Sequence, residues 1–296
     1  MSEPARRWPV AVAQGLLSAG LLLLLAWQAY LRQLATLARR PGPPACLLAA
    51  LLLYNLSKVA SALRLNAYQR HAAIRVGEGD NLRLYYAGMF LSLVLPGGIG
   101  GDGYKVLALH RRRAAPLKTL LWITLADRVG GLLVLLFMLC LLVPLLGLPW
   151  GLGGVPAAAL ALLLLHRRVL GMGWRATAAM LASGALVQLL QLACMAMLLA
   201  YLRLPAALYL PYLALFLASS VAAALPLSLA GLGTREVTFL YGLQWLRLDP
   251  AAGVLAASGL FLVTLASALP GALCLGAARA PFLPSVPPAE PASHER

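Results

Sequence analysis

From Leu117 to Leu146 the chain reads "LKTLLWITLADRVGGLLVLLFMLCLLVPLL". About 20 mainly apolar residues suffice to cross the hydrocarbon core of a bilayer as a helix. Inside lipid, only a helix or a closed barrel satisfies every backbone polar group. Similar runs occupy about Val10 to Leu31, Ala45 to Leu63, Ala176 to Leu202 and Ala251 to Ala278, with a shorter one at Val155 to Leu165. The fold class expected is an all-α polytopic membrane protein. Composition agrees: 61% of the 296 residues are hydrophobic, only 11% are charged, and mean hydropathy is +0.84. A soluble domain carries about 25% charged residues.

The net charge of +15 would suggest nucleic acid in a soluble protein. Here most basic residues stand between apolar runs, and no soluble element offers a basic face, so nucleic-acid binding is not expected. The charge follows instead from the positive-inside rule and anionic headgroups. Most loop arginines fall on the side of the N-terminus, which is therefore read as cytoplasmic. Cys46, Cys140, Cys194 and Cys274 lie singly within apolar runs, so neither a metal site nor a disulfide framework is indicated. His71, His110, His166 and His294 are read as lying in loops, at span ends or in the tail, and form no HxxxH or HExxH. No Walker A or GxSxG is present, and no cofactor is expected.

Two further stretches are apolar but interrupted. Residues 82–109 contain "LPGGIGGDGYKVLAL" and residues 208–246 contain "LPLSLAGLGTREVTFLYGL". Each has Leu-Pro, a Gly-x-Gly, an acid beside or near a base, and a resumed apolar run. Gly98 and Gly100 correspond to Gly231 and Gly233, and Asp102 to Glu236. Matched Gly/Pro interruptions in two halves point to an inverted repeat with a site at the membrane midplane. If each is a re-entrant hairpin, the chain has about six full spans plus two re-entrant segments; if each crosses fully, it has eight. The halves are about 10–148 and 152–279 of one membrane domain, followed by a Pro-rich tail, 280–296, expected to be disordered.

Lys58, Asp102, Lys105, Asp127, Arg128, Arg235 and Glu236 fall in or beside apolar stretches. Each would cost about 2.5–3.5 kcal/mol at the bilayer centre on insertion scales, so they should face protein, water or ligand and pair with one another. Asp102 is expected to pair with Arg128 or Arg235 across the halves, and it shares a helix face with Lys105. The glycines Gly97, Gly98, Gly100 and Gly101, and Gly231 and Gly233, leave backbone free at the start of a resumed helix. A helix N-terminus near arginines suits an anion such as phosphate. Such a cluster either grips a charged headgroup or clamps two re-entrant loops together. Asn55, Gln188 and Gln191 are expected to hydrogen-bond between helices.

The motifs "PGGIGGDGYK", "DRVGGLLVLL" and "LAGLGTREV", in this order, resemble the transmembrane domain of lysylphosphatidylglycerol synthases, which is shared with stand-alone flippase-like membrane proteins. On the matching positions the resemblance implies a site built from Asp102 and Lys105, Asp127 and Arg128, and Gly231, Gly233, Arg235 and Glu236. Lys105 stands where arginine is commoner, and Thr234 where a small aliphatic is commoner. Bifunctional relatives add a soluble aminoacyl transferase domain; only a short tail follows Arg279, so the resemblance implies no enzyme activity for this chain. It implies movement of a phospholipid or isoprenoid-linked lipid, with an anionic headgroup, between leaflets of a bacterial inner membrane. A headgroup-modifying enzyme, or a non-catalytic partner of a lipid or polysaccharide enzyme, are the alternatives.

Overall fold

The computed structural model describes residue 35 and residues 42–95, 100–113, 115–224 and 233–277. The expected first span at 10–31, the tail, and Gly97, Gly98 and Gly231 lie outside these. The described chain is all helical. Six stretches are long and apolar enough to cross a membrane: Pro44–His71, Leu117–Leu146, Trp150–Val169, Trp174–Tyr201, Ala206–Ala224 and Pro250–Leu275.

Helix α1 (Pro44–His71) begins with proline in its first turn, where a missing N–H costs nothing. α2 (Glu78–Val94) and α3 (Gly100–Arg113) flank the first glycine run. α4 (Leu117–Leu142) runs on through a 3-10 turn, Val143–Leu146, and stops at Gly147, whose φ is 79°. α5 (Trp150–Leu164) continues through a π turn, Leu165–Val169. The Val155–Leu165 run is therefore the middle of a 20-residue spanning stretch rather than a short one. α6 (Trp174–Tyr201), α7 (Tyr209–Ala224), α8 (Thr234–Trp245), α9 (Pro250–Ala268) and α10 (Pro270–Ala277) follow.

Both interrupted stretches double back. In the first, a Cβ on Gly101 would strike the Gly88 carbonyl, and one on Gly100 would strike Leu95. Further from the turn, Lys105 stacks on Tyr85. In the second, Arg235 reaches Ser220 and Gly242 faces Leu215. Pairings that widen symmetrically about the break define antiparallel hairpins.

The two hairpins enter from opposite ends of the bundle. Ile74, Val76 and Leu84, at the foot of α2, share one buried cluster with Leu109 and Ala115 beyond the returning arm. That cluster also holds Leu65 and Tyr68 late in α1 and Leu120 and Ile123 early in α4. The feet of the second hairpin, Leu208, Tyr209 and Leu248, join the other cluster, with Ala50 and Tyr54 early in α1 and Leu139 and Leu142 late in α4. Tyr212 Oη donates to the Asp249 carbonyl at 3.1 Å and ties those feet together.

The element order repeats. α1 and α6 are both 28 residues long and start 130 positions apart, at 44 and 174. Both end in the same left-handed cap. Ala73 has φ 62° and Arg203 has φ 56°. Ile74 N–H reaches the Gln69 carbonyl at 2.9 Å, and Leu204 N–H reaches that of Leu199 at 3.1 Å. These are the six-residue bonds of a Schellman cap. α1 and α6 pack antiparallel, with Ala50 and Tyr54 beside Leu198 and Leu199 at one end and Tyr68 near Met180 at the other. Antiparallel equivalents and opposed hairpins are the geometry of an inverted repeat.

Outward faces carry exposed Leu48, Leu52, Leu56 and Leu63 on α1, the surface that lipid solvates. Exposed Trp150, Trp174 and Trp245 stand at helix ends, as an interfacial aromatic belt requires. Arg167 lies 4.2 Å from the Trp174 ring centre.

Candidate functional site

The site grows from one stripe on α1. Tyr54, Lys58, Ser61, Arg64 and Tyr68 recur every three or four residues, so they share a face. That face is turned inward. Arg64, which the sequence suggested as a loop residue, is buried within the spanning helix. Its Nε donates to Asp127 Oδ1 of α4 at 2.8 Å. The "VGG" that follows Asp127-Arg128 makes the room. A Cβ on Gly131 would lie 3.3 Å from the Arg64 guanidinium, and one on Gly130 would lie 3.0 Å from Tyr68 Oη.

Tyr68 Oη is 2.7 Å from His166 Nε2. His166 Nδ1 is 2.8 Å from the Leu162 carbonyl. A carbonyl only accepts, so Nδ1 carries the proton and Nε2 accepts from the tyrosine. His166 was expected at a span end; the π turn instead rotates it into the core, where it is 1% exposed.

The first hairpin brings Asp102 to the same level. Lys105 Nζ is 2.6 Å from Asp102 Oδ1, and Arg128 Nε donates to Oδ2. One carboxylate thus joins α3 to itself and to α4. Arg128 is one of the two partners expected for Asp102, and this bond stays within the first half rather than crossing between halves. The second hairpin supplies Arg235, whose Nη1 donates to Ser220 Oγ at 2.9 Å and lies within 3.5 Å of Ser219 Oγ. Its guanidinium carbon is 5.7 Å from the Phe216 ring centre. The Glu236 carboxylate accepts the N–H of Gly233 at 2.8 Å and caps α8, and among the described residues it makes no direct ion pair with Arg235. Gly233 takes φ 82°, a left-handed conformation that glycine adopts without penalty.

Lys58 Nζ stands 4.3 Å from the centre of the Tyr54 ring. Among the described residues neither Lys58 nor Arg235 has a carboxylate in ion-pair contact. Asn55 does join helices, donating to Ser267 Oγ at 2.9 Å and accepting from Tyr86 Oη at 2.9 Å. Gln188 is buried, and among the described residues its Oε1 finds no partner.

These groups surround a cavity of about 550 Å³ between the two halves, lined by Lys58, Arg64, Arg128, Arg235, Asp127 and Gln188, among others. A smaller chamber of about 200 Å³ holds Asp102, Lys105, Tyr54 and Thr264. Of the sequence-identified residues, Asp102 and Lys105 face the smaller chamber, and Asp127, Arg128 and Arg235 face the larger. Gly100 and Gly101 open α3 against α2, and Gly233 and Glu236 form the start of α8. Arg64, Tyr54, Tyr85 and the Ser219–Ser220 pair were not anticipated. The three-and-four spacing on α1 was the available signal for Arg64 and Tyr54; nothing local marks the serines. Among the described residues, no group of three His, Cys, Asp or Glu is placed to hold a metal ion.

Residues 11–171 match the family model described as "Lysylphosphatidylglycerol synthase TM region". The first two motifs lie inside that match and the "LAGLGTREV" motif lies beyond it. A search of curated proteins finds no match.

Proposed function

The chain belongs to the lysylphosphatidylglycerol synthase TM-region family, and from that premise we propose that it binds the anionic headgroup of a membrane lipid and carries it between leaflets. The carrying observation is the cavity between the halves, where Lys58, Arg64, Arg128 and Arg235 face Asp127. With Arg64 paired to Asp127 and Arg128 to Asp102, Lys58 and Arg235 leave a positive excess. A ligand cavity is usually 300–1,000 Å³, and 550 Å³ falls within that range. Arginine forks match phosphate oxygens in pairs. The buried, unpartnered Gln188 oxygen supplies a neutral acceptor beside them, fit for a hydroxyl of the headgroup. The lipid is a phospholipid or an isoprenoid-linked lipid. The protein acts as a transporter rather than an enzyme, in a bacterial inner membrane with its N-terminus cytoplasmic.

The test is transbilayer movement of fluorescent phosphatidylglycerol in proteoliposomes. Wild type is expected to accelerate it. Arg235→Ala, which removes a half-buried cation held by the Ser219 and Ser220 hydroxyls and the Phe216 ring, is expected to slow it at least about tenfold. No acceleration by wild type refutes the proposal.

A further inference from the structure

The two polar chambers are not independent. Both are lined by Lys58, Tyr85 and Ser92. Along α1 they lie to either side of Lys58. Ser61 and Arg64, one and two turns toward His71, belong to the larger; Tyr54, one turn toward Pro44, belongs to the smaller. Lys58 itself is fourteen residues after Pro44 and thirteen before His71. At 1.5 Å per residue it sits at the centre of a membrane-crossing helix.

We infer that Lys58 is a relay cation at the membrane midplane, and that the two chambers are successive stations for one anionic headgroup. The inference rests on the transport reading above. In the larger chamber the anion is held by Lys58 with Arg235 and Arg64. In the smaller it is held by Lys58, with Lys105 beside it paired to Asp102. The headgroup therefore crosses the midplane without losing its counter-charge, which in a low-dielectric interior is the costly step.

The local chemistry suits such a role. An intramembrane lysine normally finds a polar or charged partner, but Lys58 leans on the Tyr54 ring, with no carboxylate among the described residues in ion-pair contact. Lysine is a compact charge with three donors on a flexible stem, so it can turn from one chamber to the other. Tyr54 is itself held, accepting from Thr264 Oγ1 at 3.0 Å. Tyr85, on the shared wall, meanwhile faces Lys105 at 4.9 Å.

The test uses the full chain and fluorescent phosphatidylglycerol, with equilibrium binding measured in nanodiscs and transbilayer movement in proteoliposomes. Lys58→Gln is expected to weaken binding, and to slow movement by at least about tenfold beyond what the binding loss accounts for. Lys58→Arg keeps the charge and is expected to recover the rate to within about threefold, which also shows that the position tolerates substitution. Equal losses in binding and movement would make Lys58 one more binding cation and overturn the relay. Unchanged movement in Lys58→Gln overturns it as well. A wild type that binds the lipid and moves none refutes the transport reading, and the relay falls with it.

Discussion

The Arg64–Asp127 pair is where removing a charge and removing an interaction have opposite consequences. It joins α1 to α4 with side chains only 9% and 15% exposed, at 2.8 Å. Asp127→Ala leaves the guanidinium buried with no counter-charge, and breaking one partner of such a pair costs about 3–5 kcal/mol. Arg64→Met with Asp127→Leu removes both charges at similar volume, and such replacements are often neutral or stabilising by about 1–4 kcal/mol. The expected coupling between the sites is therefore at least about 2 kcal/mol. Thermal unfolding in detergent reads it. At roughly 2–4 °C per kcal/mol, Asp127→Ala should lower the midpoint by on the order of 10 °C, and the double variant should recover most of that. A double variant that falls by the sum of the two single losses would show that the pair does not interact, and would refute the reasoning. The recovered variant also lacks one cation of the larger cavity, so it should still move lipid slowly. Stability regained without transport regained separates clamping from gripping.

Two smaller perturbations read the hairpins. Gly101→Ala places a Cβ about where the Gly88 carbonyl oxygen stands, 2.0 Å away, and should destabilise by about 1–3 kcal/mol, whereas Gly103→Ala meets nothing within 4 Å and should be neutral or gain up to about 1 kcal/mol; thermal unfolding distinguishes the two. Glu236→Gln keeps an oxygen able to accept the Gly233 N–H and should leave lipid movement unchanged, while Glu236→Ala should cost about 1 kcal/mol of cap; slowed movement in Glu236→Gln would return the carboxylate to the headgroup site.

What was legible in the sequence was whatever has a period or a break. The apolar runs announce the spanning helices, and "LPGGIGG" with "LPLSLAGLG" marks the two breaks, which the sequence left open between re-entrant hairpins and full crossings. The adjacent charges at 127–128 and 235–236 were visible because they interrupt apolar runs. Arg64 was less visible because it lies near the end of its run, next to "NAYQRH", where a basic residue looks like a loop. Only its place on the Tyr54–Lys58–Ser61 face reveals that it points inward. His166 was hidden by a different cause. "LLLLHRRV" reads as the end of a helix, yet a π turn adds a residue to the turn and carries the imidazole to Tyr68. Glu236 misleads in the other direction: three residues after a helix-starting glycine, a Glu is as readily a cap as a ligand.

On the proposed reading, clamp and grip divide by residue rather than applying to the cluster as a whole. Asp102 is occupied by Lys105 and Arg128, and Asp127 by Arg64. These bonds tie α1, α3 and α4 together and all lie in the first half of the chain. Lys58 and Arg235 are held by an aromatic ring and by hydroxyls, partners that neutralise no charge and yield to an incoming phosphate more cheaply than a carboxylate does. One comes from each half, and they line the same cavity. An inverted repeat places equivalent elements around a midplane site. Here the paired charges fix the first hairpin to α4 and α4 to α1, and the two cations without an ion-paired acid among the described residues line one cavity. On the proposed transport reading, a substrate anion would supply the negative charge between Lys58 and Arg235.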